Sequence, residues 1–305
     1  MLSRPLLALG CAAALFVPHG SARAEMIPVA RAEIPAGAQY VALGSSYASG
    51  PGLPDVVDPP CQRSAQNYPH QVAAAARLQL VDVSCGGATT ADILDRPQRI
   101  RKRTLRPPQI DAVTADTQLI TVSIGGNDLD LIGSMMTESA CAATARSVPG
   151  LCENLTGKKT PTQADVDTVE HAIADVVRAV HTRAPHATVL LVQYLPALDR
   201  ATTTCATAPM RPEQAAAARH TYNQLLTATV EAAEQTGAQV IAVPGAESHT
   251  ACSADPWISG LVQPVTSGPG ALSKPDALRK VAGSYHPNLA GTTQIAKRII
   301  ARIGG

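Results

Sequence analysis

The chain has 305 residues, nearly balanced charge (25 Lys and Arg against 24 Asp and Glu, formal net +1) and only 3% aromatic residues. Such neutrality argues against a general nucleic-acid binder, which needs a strongly basic face. Scarce rings likewise argue against a long-polysaccharide binder built on stacked aromatic platforms.

Taken in chain order, the first residues read as a leader. Arg4 gives a positive start, residues 6–17 form an apolar run too short to span a bilayer, and Ala22-Arg23-Ala24 offers small residues where a signal peptidase reads. We expect residues 1–24 to be removed on export, leaving 25–305 as a single domain. A competing reading has Cys11 lipid-modified, but Ala8 is a poor residue three positions before it. Removal takes away Arg4 and Arg23 and no acid, so 23 basic and 24 acidic residues remain, a net charge of −1. No later apolar stretch is long enough for a transmembrane helix.

Five apolar runs rich in β-branched residues, at 39–43, 80–84, 118–124, 188–194 and 239–243, read as buried parallel strands. Helical patterns alternate with them at 65–78, at 162–182 before Pro185, and from Pro212 to Gly237. A last one follows Pro287 to the end of the chain. This alternation predicts an α/β fold of three layers around a parallel sheet. Gly44-Ser45-Ser46 follows the first strand, Cys85-Gly86-Gly87 the second and Gly125-Gly126-Asn127 the third. Ligand crevices of open parallel sheets lie beyond the carboxyl ends of the strands, so all three segments are expected on one rim.

Six cysteines remain after the leader: Cys61, Cys85, Cys141, Cys152, Cys205 and Cys252. An even number in an exported chain suggests three disulfides, and six cysteines allow about fifteen pairings. Neighbours in order, 61–85, 141–152 and 205–252, are favoured. No CxxC pair and no HExxH run supports a metal site.

The residues on the expected rim suit acyl transfer. A serine hydroxyl needs a nearby base to take its proton. Ser46 is the candidate nucleophile, although a glycine- and serine-rich loop is the plain alternative. His286 is the candidate base, fixed in a loop before Pro287; His249, in the loop after the last strand, competes with it. His70, His171, His181 and His220 lie in or beside predicted helices and read as solvated or packing residues. Acyl transfer also builds negative charge on the carbonyl oxygen. The backbone N–H groups of Ser46 and Gly87 and the side-chain amide of Asn127 are candidate donors, against an ordinary turn or helix cap. Asp92 and Asp128 read as caps or loop ties. Trp257 lines an acyl pocket or anchors the Cys252 loop. The basic stretch Arg96, Arg99, Arg101, Lys102, Arg103 and Arg106 offers contact with anionic headgroups at a membrane surface, against a solvated face compensated elsewhere.

These segments together resemble the SGNH hydrolases, the GDSL-type esterases and lipases, in their secreted actinobacterial branch. The matching blocks are Gly44-Ser45-Ser46-Tyr47, Cys85-Gly86-Gly87-Ala88-Thr89-Thr90, Gly125-Gly126-Asn127-Asp128 and His286-Pro287-Asn288. Cys61-Gln62-Arg63-Ser64, Asn67-Tyr68-Pro69 and Pro107-Pro108-Gln109 look like that branch as well. The resemblance implies a flavodoxin-like sheet of five parallel strands in the order 2-1-3-4-5. It implies Ser46 as nucleophile, His286 as base, an oxyanion hole of Ser46, Gly87 and Asn127, an ester substrate and no metal or other cofactor. Two positions depart from the family. Ser45 stands where Asp is usual, and Gly283 stands where the triad acid is usual, three residues before the histidine. We therefore expect a Ser46–His286 dyad oriented by the Gly283 backbone carbonyl, with Asp255 or Asp276 folding in as the alternative acid. The expected activity is hydrolysis of carboxylic esters by a monomer through an acyl-enzyme. Its rivals are acyl transfer to another hydroxyl at the same site, and a binding module that has lost catalysis.

Overall fold

The computed structural model describes residues 33–100, 104–144, 160–262 and 280–304. In chain order these form β1 (Gln39–Gly44), α1 (Ser46–Ser49), β2 (Val56–Asp58), β3 (Arg63–Ser64), α2 (Tyr68–Ala76), β4 (Gln79–Asp82), α3 (Thr90–Leu94), β5 (Gln98–Ile100) and β6 (Thr104–Arg106). There follow β7 (Thr117–Ser123), α4 (Leu131–Thr144), α5 (Gln163–Arg183), β8 (Thr188–Val192), α6 (Pro212–Thr236), β9 (Gln239–Ile241) and α7 (Leu289–Ile303). Five strands make one sheet in the order β4-β1-β7-β8-β9, and every pairing in it is parallel. Counted within that sheet the order is 2-1-3-4-5, as the resemblance implies. The hairpins β2–β3 and β5–β6 stand outside it.

The hydrophobic pattern dictates this arrangement. Tyr40 to Leu43 of β1 and Leu119 to Val122 of β7 are buried whichever face they point to, as strands covered by helices on both sides must be. The chain steps once to one side of β1 and then repeatedly to the other. Right-handed crossovers therefore put α2 on one face and α5 and α6 on the opposite one. Val166, Val169, Ile173, Val176, Val177 and Val180 line the buried stripe of α5 at helical spacing, and this helix packs on α6. On the other face α7 packs on α2.

The ends of elements shift from the sequence expectation for identifiable reasons. The Asn67 side chain accepts the His70 N–H at 3.1 Å, so α2 starts at Tyr68 rather than at 65. The strands β8 and β9 stop two residues short of their apolar runs, before Pro196 and Pro244. Nothing in the sequence reading assigned α1, α3, α4 or the two hairpins. Cys141 lies inside α4.

Candidate active site

Gly44 ends β1 opposite Ser123 of β7, and the Ser45 N–H donates to the Ser123 carbonyl at 2.9 Å. The chain then turns at once into α1, whose first residue is Ser46. A buried glutamine holds the corner: Gln109 Oε1 accepts the Gly44 N–H at 2.8 Å and its Nε2 donates to the Gly44 carbonyl at 3.0 Å. His286 arrives from the other end of the chain, just ahead of α7, whose N-terminus is capped by Asn288 accepting the Gly291 N–H at 3.0 Å. Its loop is pinned on both sides. The Ser259 N–H donates to the His286 carbonyl and the Tyr285 N–H to the Ser259 carbonyl, each at 2.9 Å. Tyr285 sits in the left-handed region at φ 59° with its hydroxyl 2.6 Å from Ser139 Oγ. A buried tyrosine held in that conformation marks a constrained loop.

The two side chains meet. His286 Nε2 lies 2.7 Å from Ser46 Oγ, and both residues are buried. On the far side of the ring, Nδ1 donates to the Ser284 carbonyl at 2.8 Å. A carbonyl only accepts, so Nδ1 carries the hydrogen in the neutral ring and Nε2 keeps the lone pair facing the serine hydroxyl. Enclosure pushes the imidazole pKa down to about 4, and the bond to Ser284 recovers only part of that fall.

Beside this pair, the glycine loop uses its backbone groups almost completely. The Cys85 N–H donates to Gly44 O at 3.0 Å, Gly86 N–H to Cys61 O at 2.9 Å, and Ala88 N–H to Cys85 O at 3.1 Å. Among the described residues, no protein acceptor takes the N–H of Gly87 or of Ser46. Gly87 has φ 81°, a conformation that a side chain would strain. The Asn127 amide donates one hydrogen to Ala88 O at 2.7 Å and has a second to offer. Next to it, Asp128 Oδ1 accepts from the Thr90 N–H at 3.1 Å and from Thr90 Oγ1 at 2.6 Å, which ties the asparagine block to the glycine loop. Burial holds that carboxyl above its ordinary pKa, against the pull of the Thr90 bonds. Asp92 accepts the Thr89 N–H at 2.8 Å at the start of α3.

Residues 42–293 match the model of the GDSL-like lipase/acylhydrolase family. The chain belongs to this family. Lipase 2 of Streptomyces coelicolor is 32% identical over 279 residues, 87% of this chain and 85% of that relative. A lipase of Streptomyces rimosus is 28% identical, covering 84% of this chain and 82% of its own. The crystal structure of the extracellular lipase from Streptomyces rimosus superposes with a TM-score of 0.63 at 25% identity, over 87% of this chain and 100% of that one. The protein is thus an ester-hydrolysing SGNH enzyme of the actinobacterial branch.

Within this GDSL-like hydrolase the departures from the family pattern have local explanations. Ser45 is fully buried and its hydroxyl lies 2.7 Å from the Tyr194 hydroxyl, so a neutral hydroxyl pair occupies the space under the nucleophile. The expectation for Gly283 needs correction. Its carbonyl accepts the His286 backbone N–H at 3.1 Å, and the imidazole is held by Ser284, one residue later. A Cβ at Gly283 would come 2.9 Å from Gly52 Cα and 3.1 Å from Pro51 O, so the backbone of the 51–52 turn fills the room an acid would need.

The alternative acid Asp255 is placed elsewhere: its backbone carbonyl accepts from His249 Nδ1 at 2.7 Å and its carboxylate lies 3.5 Å from the same ring. Asp276 lies outside the described residues. His249 stacks on Trp257 with ring centroids 3.9 Å apart, so the two rings pair with each other in the loop that carries Cys252. In the basic stretch, Arg96 pairs with Asp92 and Arg106 with Asp58, each at 2.9 Å; Arg101, Lys102 and Arg103 lie outside the described residues. The disulfides Cys61–Cys85 and Cys205–Cys252 are formed as expected, whereas Cys152 of the third expected pair is outside the described residues. The sequence reading missed the parts played by Ser284 and Tyr194. Ser284 acts through a backbone carbonyl, which no residue type advertises. Tyr194 left a weak trace, as a tyrosine ending an apolar run.

Proposed function

We propose that this hydrolase cleaves carboxylic esters through an acyl-enzyme on Ser46, with His286 as the side-chain base and the Ser284 backbone carbonyl in the place of the triad acid. The 2.7 Å approach of His286 Nε2 to Ser46 Oγ, between residues 240 positions apart, carries this reading. Ser46 attacks the ester carbonyl while Nε2 takes the hydroxyl proton. The resulting oxyanion accepts from the N–H groups of Ser46 and Gly87 and from the free hydrogen of the Asn127 amide. His286 then gives its proton to the departing alcohol and takes one from the water that releases the acid. Export through removal of residues 1–24, leaving a monomeric 25–305 domain, is part of the same proposal. Support for it comes from the two disulfides and the extracellular lipase of similar fold.

The test combines p-nitrophenyl esters of increasing chain length with a fluorophosphonate label. Ser46→Ala is expected to lose at least about a thousandfold in kcat and to abolish labelling while the melting temperature holds. More than a tenth of wild-type activity in that variant would refute the role of Ser46.

A further inference from the structure

One buried polar side chain near the glycine loop has no part in the mechanism above. Gln98, the first residue of β5, is 6% exposed, and its Nε2 donates to the Gly86 carbonyl at 3.0 Å. The acceptor fixes how this amide is turned, since Oε1 against a carbonyl oxygen would repel. The Oε1 atom has no protein partner among the described residues, so the bond to Gly86 is the polar contact that defines the side chain's place. The bond is anchored from outside the loop: β5 pairs with β6, and Arg106 of β6 holds Asp58 at 2.9 Å. Asp58 in turn accepts the Cys61 N–H at 3.4 Å, next to the Cys61–Cys85 disulfide.

The Gly86 carbonyl and the Gly87 N–H belong to the same planar peptide and point in opposite directions. Fixing one aims the other. This peptide lies between two glycines, the second at φ 81°, so little in its own backbone resists rotation. A hydrogen bond into its carbonyl also polarises the amide and strengthens the N–H as a donor. We propose that Gln98 is a positioning residue for the oxyanion hole, holding the Gly86–Gly87 peptide so that the Gly87 N–H faces the reacting carbonyl oxygen. The proposal rests on the esterase reading above.

Steady-state kinetics of wild type, Gln98→Met and Gln98→Glu on a p-nitrophenyl ester, with melting temperatures, test it. Gln98→Met keeps the shape and removes the donor. It is expected to lower kcat roughly 10- to 100-fold with KM changed less than threefold, somewhat less than deleting an oxyanion donor outright. Gln98→Glu is expected to be as slow at about pH 8, where a carboxylate repels the Gly86 carbonyl. Relative to wild type at the same pH it should recover towards about pH 5, as the buried carboxyl takes up a proton and regains a donor. A kcat for Gln98→Met within twofold of wild type, or a Gln98→Glu deficit that is the same at both pH values, would overturn the role. Should Gln98→Met fail to fold, the pH dependence of Gln98→Glu decides. A wild type that neither hydrolyses the ester nor takes the label at Ser46 would instead bring down the esterase reading, and this proposal with it.

Discussion

At His286 two influences oppose each other: enclosure disfavours the charged ring and the Ser284 carbonyl favours it. Enclosure is the larger, which leaves the pKa at about 4. In a triad the acid raises that value and stabilises the imidazolium of the transition state; here a neutral carbonyl does the smaller part of both tasks. The site gains a base that stays unprotonated well into acid. It gives up basicity, and with it some driving force for taking the serine proton. The acid limb of kcat/KM reports the base of the free enzyme, so it should lie near pH 4, with activity level from about pH 6 to 8. A pH–rate profile with an uncharged ester checks this. A limb near the ordinary histidine value of about 6.5 would show that His286 is open to water or paired with a carboxylate in solution.

At the scale of elements, the site is assembled from loops that are fastened to one another more than to their own strands. Asn127 donates to Ala88, Asp128 accepts from Thr90, Cys85 is bonded to Gly44 and disulfide-linked to Cys61, and Gln109 grips both polar groups of Gly44. The two disulfides therefore differ in what they protect. Their separations of 24 and 47 residues correspond, by the chain-entropy relation, to about 3.5 and about 4 kcal/mol of stabilisation. Replacing Cys61 and Cys85 by Ser should cost both stability and kcat, because the glycine loop loses its anchor. Replacing Cys205 and Cys252 should cost at least as much stability and leave kcat of the folded enzyme near wild type. Urea unfolding alongside kinetics on both double variants separates the two effects, and equal kcat in both would refute the distinction.

Over the whole molecule, what the sequence disclosed follows how far each signal depends on local chemistry. The five strands were legible because sheets covered on both faces demand continuous apolar runs, and α5 because Val166, Val169, Ile173 and Val180 keep helical spacing. Ser46, Gly87, Asn127 and His286 stood out as residue types at strand ends, although only the fold brings the outermost pair together. Tyr194 and the grip of Gln109, visible only as part of a family block, were hidden because each acts between distant segments, Gln98 because its amide reaches a backbone carbonyl of another loop, and Ser284 because every residue type carries such a carbonyl. The same long-range closure makes global stability sensitive to pH. His286 has a pKa of about 4 when folded and about 6.5 when unfolded. The unfolded chain therefore binds the extra proton as pH falls through that window. Its contribution is fully present above about pH 6.5 and is lost by about pH 4, amounting to about 3 kcal/mol. Asp82 and Asp128, held above their ordinary values chiefly by burial, act in the opposite sense when they take up protons. They partly mask the effect in the wild type. The difference between wild type and His286→Asn cancels them, so unfolding free energies of the two proteins should converge or diverge by about 3 kcal/mol between about pH 7 and pH 4 in the direction that favours the variant in acid. A difference that does not move with pH would mean the His286 ring is hydrated rather than enclosed.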